Sequence, residues 1–358
     1  MKINFLKISL SIFLGFCCLV PESEAQLNEM GIILTGGAED AEKLAGAYLS
    51  PFTDAFGANL NSGWFTTARP HSVLGFDITL SVNLGVIPNE AKSLNLNNLG
   101  LSANVLGGPE TPTIAASKAD VPARLQYMES GNTLAEIELP KGTGLGFIPS
   151  PSLQLGIGLP MDTEIIGRYV PEVKMGEAGS LGLWGVGIKH SLKQYLPGVK
   201  RVPFLNLSIM SGYTRFYSAA GLDFQPADIE AIDQTSSAIN FTDQNLELSV
   251  SSFTANILVS ADIPFFTAYA GLGINTTTSN LKMMGYFPVP ELDGTQSVVT
   301  DSSALRDPID VKFNGEGGKI QPRATAGVKL KLAVIHLHAA YTYSNFSVVT
   351  GGIGISFR

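Results

Sequence analysis

The chain is poor in cysteine, in charge and in long apolar runs, and each shortage removes a class of protein. Its only two cysteines are Cys17 and Cys18, so from residue 26 onward there is no disulfide, no thiolate metal site and no cysteine nucleophile. Charged residues make up 15%, and 31 acids against 23 bases leave a net charge of −8. That balance argues against a nucleic-acid partner, because phosphate contacts need a clustered basic surface. No uninterrupted apolar run reaches the ~18 residues that read as a spanning helix. Catalytic strings are missing as well: there is no Gly-x-Ser-x-Gly elbow, no phosphate loop and no His-Glu-x-x-His. The repeat Gly142-Thr143-Gly144-Leu145-Gly146 lacks dinucleotide spacing. An enzyme is therefore not expected, with an outer-membrane hydrolase built on a lone Ser-His pair as the minor alternative, and no cofactor or metal is expected.

The N-terminus points to a compartment. Lys2 and Lys7 precede an apolar run, Ile8 to Val20, and Ser23-Glu24-Ala25 places small residues where a signal peptidase reads. Residues 1–25 read as a signal peptide cleaved before Gln26, since the run is shorter than the ~20 residues of a membrane span. Phe16 ahead of the cysteine pair disfavours lipid attachment there. Losing two lysines and two glutamates with this segment leaves the net charge at −8.

The stretch 72–88 carries the architecture. Leu74, Phe76, Ile78, Leu80, Val82, Leu84 and Val86 alternate with Gly75, Asp77, Thr79, Ser81, Asn83 and Gly85. A period of two is that of a strand, whose successive side chains face opposite sides. A strand crossing a bilayer at a tilt needs ~9–11 residues. One apolar and one polar face at that length fits lipid outside and a lumen inside.

The same alternation recurs along the chain: 153–159 and 163–170 around the turn Pro160-Met161-Asp162, then 184–189, 205–214, 246–259, 266–275, 323–332, 335–345 and 348–357. In 246–259 the phase shifts, which predicts a bulge near Ser251-Ser252. Two short strands are expected within 94–139. Connections alternate in length, short at 160–162, 261–264 and 333–335, long at 88–150, 218–244 and 277–321. Short periplasmic turns and long outside loops are the habit of bacterial outer-membrane barrels. The expected fold class is thus all-β, an antiparallel transmembrane β-barrel of about 10–12 strands (14 at the upper limit) with a short N-terminal helical segment, in the outer membrane of a Gram-negative bacterium. The expected division is a signal peptide to residue 25, a helical plug or extension over 26–71, and the barrel from 72 to 358. The plug helix covers Ala38 to Leu49, with acids in its first turn, is ended by Pro51, and is followed by a short helical piece over Phe52 to Phe56.

Phasing the strands gives the lumen-lining candidates Asp77, Asn83, Glu164, Arg168, Lys189, Glu247, Arg323, Lys329, Lys331, His336 and His338. The basic members form either an anion-preferring wall or, with Asp77, Glu164 and Glu247, a network that fills the lumen, as in narrow barrels. His336 and His338 share one face of a strand and are read as polar lumen side chains rather than a chelate, because no third ligand lies near in sequence. The loop 218–244 carries five acids without calcium-loop spacing and reads as a solvated outside loop. The connector 190–201 joins Tyr195, Leu196 and Val199 to positive charges and reads as an element at the inner headgroup surface.

Three strings, Asn61-Ser62-Gly63-Trp64, Val186 to Gly198 (Val-Gly-Ile-Lys-His-Ser-Leu-Lys-Gln-Tyr-Leu-Pro-Gly) and Ala268-Tyr-Ala-Gly-Leu-Gly-Ile-Asn275, resemble an uncharacterised outer-membrane barrel family of Bacteroidota that carries only a domain-of-unknown-function label. The resemblance implies location and fold, not activity. A helical segment ahead of the strands is also loosely similar to the long-chain fatty-acid transporter barrels. Gly354-Ile355-Ser356-Phe357 looks like the aromatic-ended signal read by the barrel-assembly machinery, although Arg358 follows it. The expected function is a passive channel or transporter for small or hydrophobic solutes with an N-terminal plug. The alternative is a side-chain-filled barrel serving as a structural or surface-binding platform. Outer-membrane lipids, the assembly machinery and a small or hydrophobic solute are the expected partners.

Overall fold

Ten antiparallel strands close on themselves in a computed structural model that describes residues 38–174, 179–229, 232–293, 296–313 and 320–357. The expected signal peptide, residues 1–25, lies outside the described residues. The strands are β1 (Phe76–Val86), β2 (Phe147–Leu159), β3 (Thr163–Lys174), β4 (Ser180–Ser191), β5 (Leu205–Leu222), β6 (Gln244–Asp262), β7 (Phe266–Met284), β8 (Gln321–Leu332), β9 (Ile335–Tyr343) and β10 (Val348–Phe357). Each pairs with its sequence neighbours, and β1 pairs with β10 to close the wall, Phe76 opposite Phe357 and Gly85 opposite Val348. Closure leaves no sheet edge in the wall to recruit another chain. An extra strand, Ile309–Phe313, pairs with the far end of β7 above the start of β8.

The alternation read from sequence sorts the wall by face. On β1, Phe76 and Ile78 are exposed while Asp77, Thr79, Ser81 and Asn83 are buried. Every strand contributes outward apolar side chains, Ile165, Val186, Ile257, Leu272 and Ile353 among them, with Leu272 68% exposed. Water makes so continuous an apolar exterior unfavourable, whereas hydrocarbon does not. β1 begins at Phe76, because Leu74 lies in the preceding turn at φ 61°.

Four expectations change. The strands expected within 94–139 exist as short pieces outside the wall, where Ser93–Asn95 pairs with Glu110–Pro112, and Val105–Gly107 with Arg124–Glu129 and Asn132–Glu138. They cover the long-loop end together with the other long loops, so the wall has ten strands. The bulge near Ser251 is absent, and β6 pairs in unbroken register with β5 and β7. Its inward side chains turn from polar to apolar at Val250, Leu248 and Leu246 because they meet a covering core there instead of the lumen. Glu247 consequently faces outward and is exposed, in register with Ala219 and Lys282, so it is not a lumen residue.

The fourth change concerns the helix. Pro51 does not end it: one helix, α1, runs Ala38–Leu60. A proline inside a helix removes one i→i−4 bond, here the bond to the Ala47 carbonyl. Ser50 Oγ donates to that carbonyl instead (3.2 Å), and Pro51 itself is buried. The N-terminal half of α1 packs in the cap, with Ala41, Leu44, Ala45 and Tyr48 among Leu125, Tyr127, Phe224, Phe287 and Phe313. Its C-terminal half lies inside the ring of strands. A Cβ at Gly85 of β1 would come 2.6 Å from the Ala55 carbonyl, one at Gly57 would strike Thr277 of β7, and Phe56 packs edge-on to Phe216 of β5 at 4.6 Å. Residues 61–71 continue through the lower lumen to the short-turn end, where β1 starts.

Candidate functional site

The interior is a meeting of two surfaces, the polar wall and the arm formed by α1 and residues 61–71. A helix ends with unsatisfied carbonyls and a partial negative charge, and α1 has no base in its last turn to answer them. The wall supplies two. Arg168 of β3 donates from Nη1 to the Leu60 carbonyl (2.9 Å), from Nη2 to the Ser62 carbonyl (2.7 Å) and from Nε to Gln154 Oε1 (3.1 Å). Arg323 of β8 donates from Nη1 to the Asn61 carbonyl (2.5 Å) and from Nη2 to Ser62 Oγ (3.1 Å). Both side chains are buried. Three successive carbonyls are thus held by two guanidinium groups from different strands, the planar fork being suited to that task.

Trp64 completes the clamp. Its ring lies under the Arg168 guanidinium, 3.8 Å from centroid to Cζ, and it is fully buried. The indole fits because the wall facing it has no side chains: a Cβ at Gly187 or at Gly212 would come within 2.8 Å of the ring. The inward glycines of the Trp184-Gly-Val-Gly-Ile188 strand are therefore the cleared space for a specific aromatic.

Nearer the short turns lies an ionic network. Lys189 Nζ pairs with Glu164 Oε2 (3.0 Å), which also accepts the His71 backbone N–H (3.0 Å). His71 Nε2 lies 2.9 Å from Asp77 Oδ1, and Thr79 Oγ1 donates to Asp77 Oδ2 (2.7 Å). Thr79 also meets His336 Nε2 (3.2 Å), and Ser81 meets His338 Nε2 (3.3 Å). Lys329 reaches Thr66 Oγ1 (3.2 Å), and at the rim the partly exposed Lys331 pairs with Asp262 (3.5 Å). Asn83 Oδ1 accepts from Thr350 (2.8 Å). The buried positions are thus Asp77, Asn83, Glu164, Arg168, Lys189, Arg323, Lys329, His336 and His338.

Two catalytic or metal readings can be weighed on this geometry. His71, Asp77 and Glu164 bring one ligand atom each within 4.8 Å of one another, the one such group among the described residues. The set does not suit a dication: Lys189 already neutralises Glu164, and the His71 N–H occupies the same carboxylate oxygen. The Ser81–His338 contact is no nucleophile site either. Both are buried, and His338 Nδ1 has no partner, whereas an activated serine needs the base oriented by a third group. Asp262, His71 and Trp64 were not singled out by sequence reasoning. Asp262 and His71 stand at strand or turn ends where period-two phasing fails, and only the Asn61-Ser-Gly-Trp64 string marked Trp64 at all.

The fold and site define a closed β-barrel whose interior is occupied by its own N-terminal arm. The chain belongs to the "Family of unknown function (DUF6588)", which it matches over residues 1–357. No curated protein matches it. Among solved structures it is similar to the translocator domain of the autotransporter NalP from Neisseria meningitidis (9% identity over 86% of this chain and 94% of that one, TM-score 0.28). It is likewise similar to the transport unit of the autotransporter AIDA-I from Escherichia coli (10%, 86% and 99%, TM-score 0.29). The attachment invasion locus protein Ail of Yersinia pestis is a third (9%, 79% and 99%, TM-score 0.24). These likenesses are weak, and no function is taken from them.

Proposed function

We propose that this protein is an integral outer-membrane barrel, plugged by its own arm, that works as a platform holding a folded cap at the cell surface. The observation that carries the reading is the clamp of Arg168 and Arg323 on the carbonyls of Leu60, Asn61 and Ser62. A wall built for solute flux has no need to fix a helix end with two buried cations, and hydrogen bonds from a charged donor are worth about 1.5–3 kcal/mol. The apolar exterior supports residence in lipid, and the alternation of short turns with long loops supports an outward-facing cap. On this reading lipids cover the belt, and the assembly machinery engages β10 through Gly354 to Phe357.

Planar-bilayer recording of the purified full-length protein tests this. The complete chain is expected to be electrically silent, and the Arg168→Ala/Arg323→Ala protein to show intermittent openings. Steady conductance by the complete chain overturns the platform reading in favour of a solute channel. That second reading has one observation behind it: the wall behind the arm is lined with hydroxyls such as Thr79, Ser81, Ser208, Thr254 and Thr325, which water would wet if the arm left.

A further inference from the structure

The direction in which the arm passes through the barrel has a consequence for where the chain's N-terminal part resides. The first turns of α1 are bound by segments of the long-loop end. Lys43 Nζ donates to the Gly100 carbonyl (2.7 Å), and the Ser102 N–H donates to Asp40 Oδ1 (3.0 Å). Tyr48 donates to the Lys141 carbonyl (2.7 Å), and the Asp310 N–H to Glu42 Oε1 (3.2 Å). At the other extreme, His71 is tied to Glu164 and Asp77, beside the short turn 160–162, and Phe76 pairs with Phe357 at the foot of the wall. The chain between them crosses the whole height of the barrel once. The lengths agree: 23 helical residues span about 34 Å at ~1.5 Å each, more than an apolar belt of ~25 Å, before residues 61–71 are added.

We propose that the barrel holds its own N-terminal arm pointing outward, so that Glu39 is displayed on the cell surface while both ends of the strand circuit stay on the periplasmic side. The inference rests on the outer-membrane reading above and on long loops facing out. It assigns the arm a fixed direction, from the outer side at Glu39 to the short-turn end at His71. It also constrains assembly. Trp64 sits in a pocket whose walls, Gly187 and Gly212, leave no room for a Cβ, and the arm touches β1, β2, β3, β4, β5, β7 and β8. Such an arm cannot be threaded into a finished barrel without opening it. The pairing of β1 with β10 therefore closes around an arm already in place.

The absence of cysteine after residue 18 makes a clean test. Single variants Glu39→Cys, Val121→Cys and Lys200→Cys, all at exposed positions, are made in the full chain in a Gram-negative outer membrane and treated with a membrane-impermeant maleimide in intact and permeabilised cells. Val121 marks the long-loop end and Lys200 the connector between β4 and β5 at the short-turn end. The expected result is labelling of Glu39→Cys and Val121→Cys in intact cells, and of Lys200→Cys only after permeabilisation, with at least a tenfold difference. If Glu39→Cys labels only after permeabilisation while the two controls behave as stated, outward display is overturned and the membrane reading survives. If Lys200→Cys labels in intact cells and Val121→Cys does not, or if neither does, the orientation or the outer-membrane reading itself falls, and the proposal with it.

Discussion

Replacing Arg168 by alanine removes the guanidinium from the Leu60 and Ser62 carbonyls, and replacing Arg323 removes it from the Asn61 carbonyl, in a buried site. Each substitution is expected to lower stability by about 1.5–3 kcal/mol, the worth of hydrogen bonds from a charged donor, read as a fall in the denaturant midpoint of the detergent-solubilised protein. Arg168→Lys should recover little, since an ammonium cannot hold two carbonyls, a glutamine and the Trp64 face at once. A second residue-scale test concerns the cleared wall. Gly212→Val places atoms where the indole lies, 2.8 Å already separating a bare Cβ from the ring. Tryptophan emission should shift to the red as Trp64 leaves its pocket, and the Gly212→Val/Trp64→Ala double variant should be more stable than Gly212→Val alone. Additive losses in that cycle would mean the two positions are not coupled.

Within α1, the Ser50 hydroxyl takes the place of the bond that Pro51 cannot make. Ser50→Ala is therefore expected to cost about 1 kcal/mol, the net worth of an ordinary hydrogen bond, and that loss should vanish in a Pro51→Ala background, where the backbone bond is restored. Thermal melts of the four proteins measure it. In the cap, Asp301 accepts from the Ser237 hydroxyl (2.8 Å) and from the Ala238 and Ile239 N–H groups (2.7 and 3.2 Å), which hold its carboxyl below the usual aspartate range. A depressed folded-state value means the stabilisation is present above the ordinary value, ~3.9, and is lost as pH falls through the folded-state value. Loop 285–313 should accordingly become more open to an acid-active protease below about pH 4, and Asp301→Asn should blunt that pH dependence. Pro51 was readable in the sequence as a helix end, and the rescue by Ser50 was not, because it depends on tertiary packing keeping the helix going long enough to need it.

At the scale of the whole molecule the charges are sorted. Inside stand Arg168, Lys189, Arg323 and Lys329 against Asp77 and Glu164, while the cap bears exposed acids such as Glu90, Glu110, Asp120, Asp223 and Asp301. A barrel emptied of its arm should therefore favour anions. In the variant lacking residues 38–66, the reversal potential under a salt gradient is expected to take the sign of chloride flux, and Arg323→Gln in that background to weaken it. A cation-selective current would show that the wall charges do not govern the lumen.

Much of this architecture was legible in the chain itself. Period-two alternation decides which side of each strand is apolar, since neighbouring side chains must point oppositely, and so Ile78, Ile165 and Leu272 face outward and Asp77, Glu164 and Lys329 inward. Alternation speaks only for a strand with one environment per face. It misplaced Glu247, where the interior changes from polar wall to apolar core, and it counted strands in the cap as wall. What filled the barrel was a matter for the tertiary structure alone. The path of the arm from the long loops to the short turns depends on the convergence of Arg168 and Arg323 on the carbonyls at its middle, which joins residues 106 to 262 positions apart. No local pattern encodes such contacts, because they follow from wall closure around the arm rather than from the conformation of any one segment.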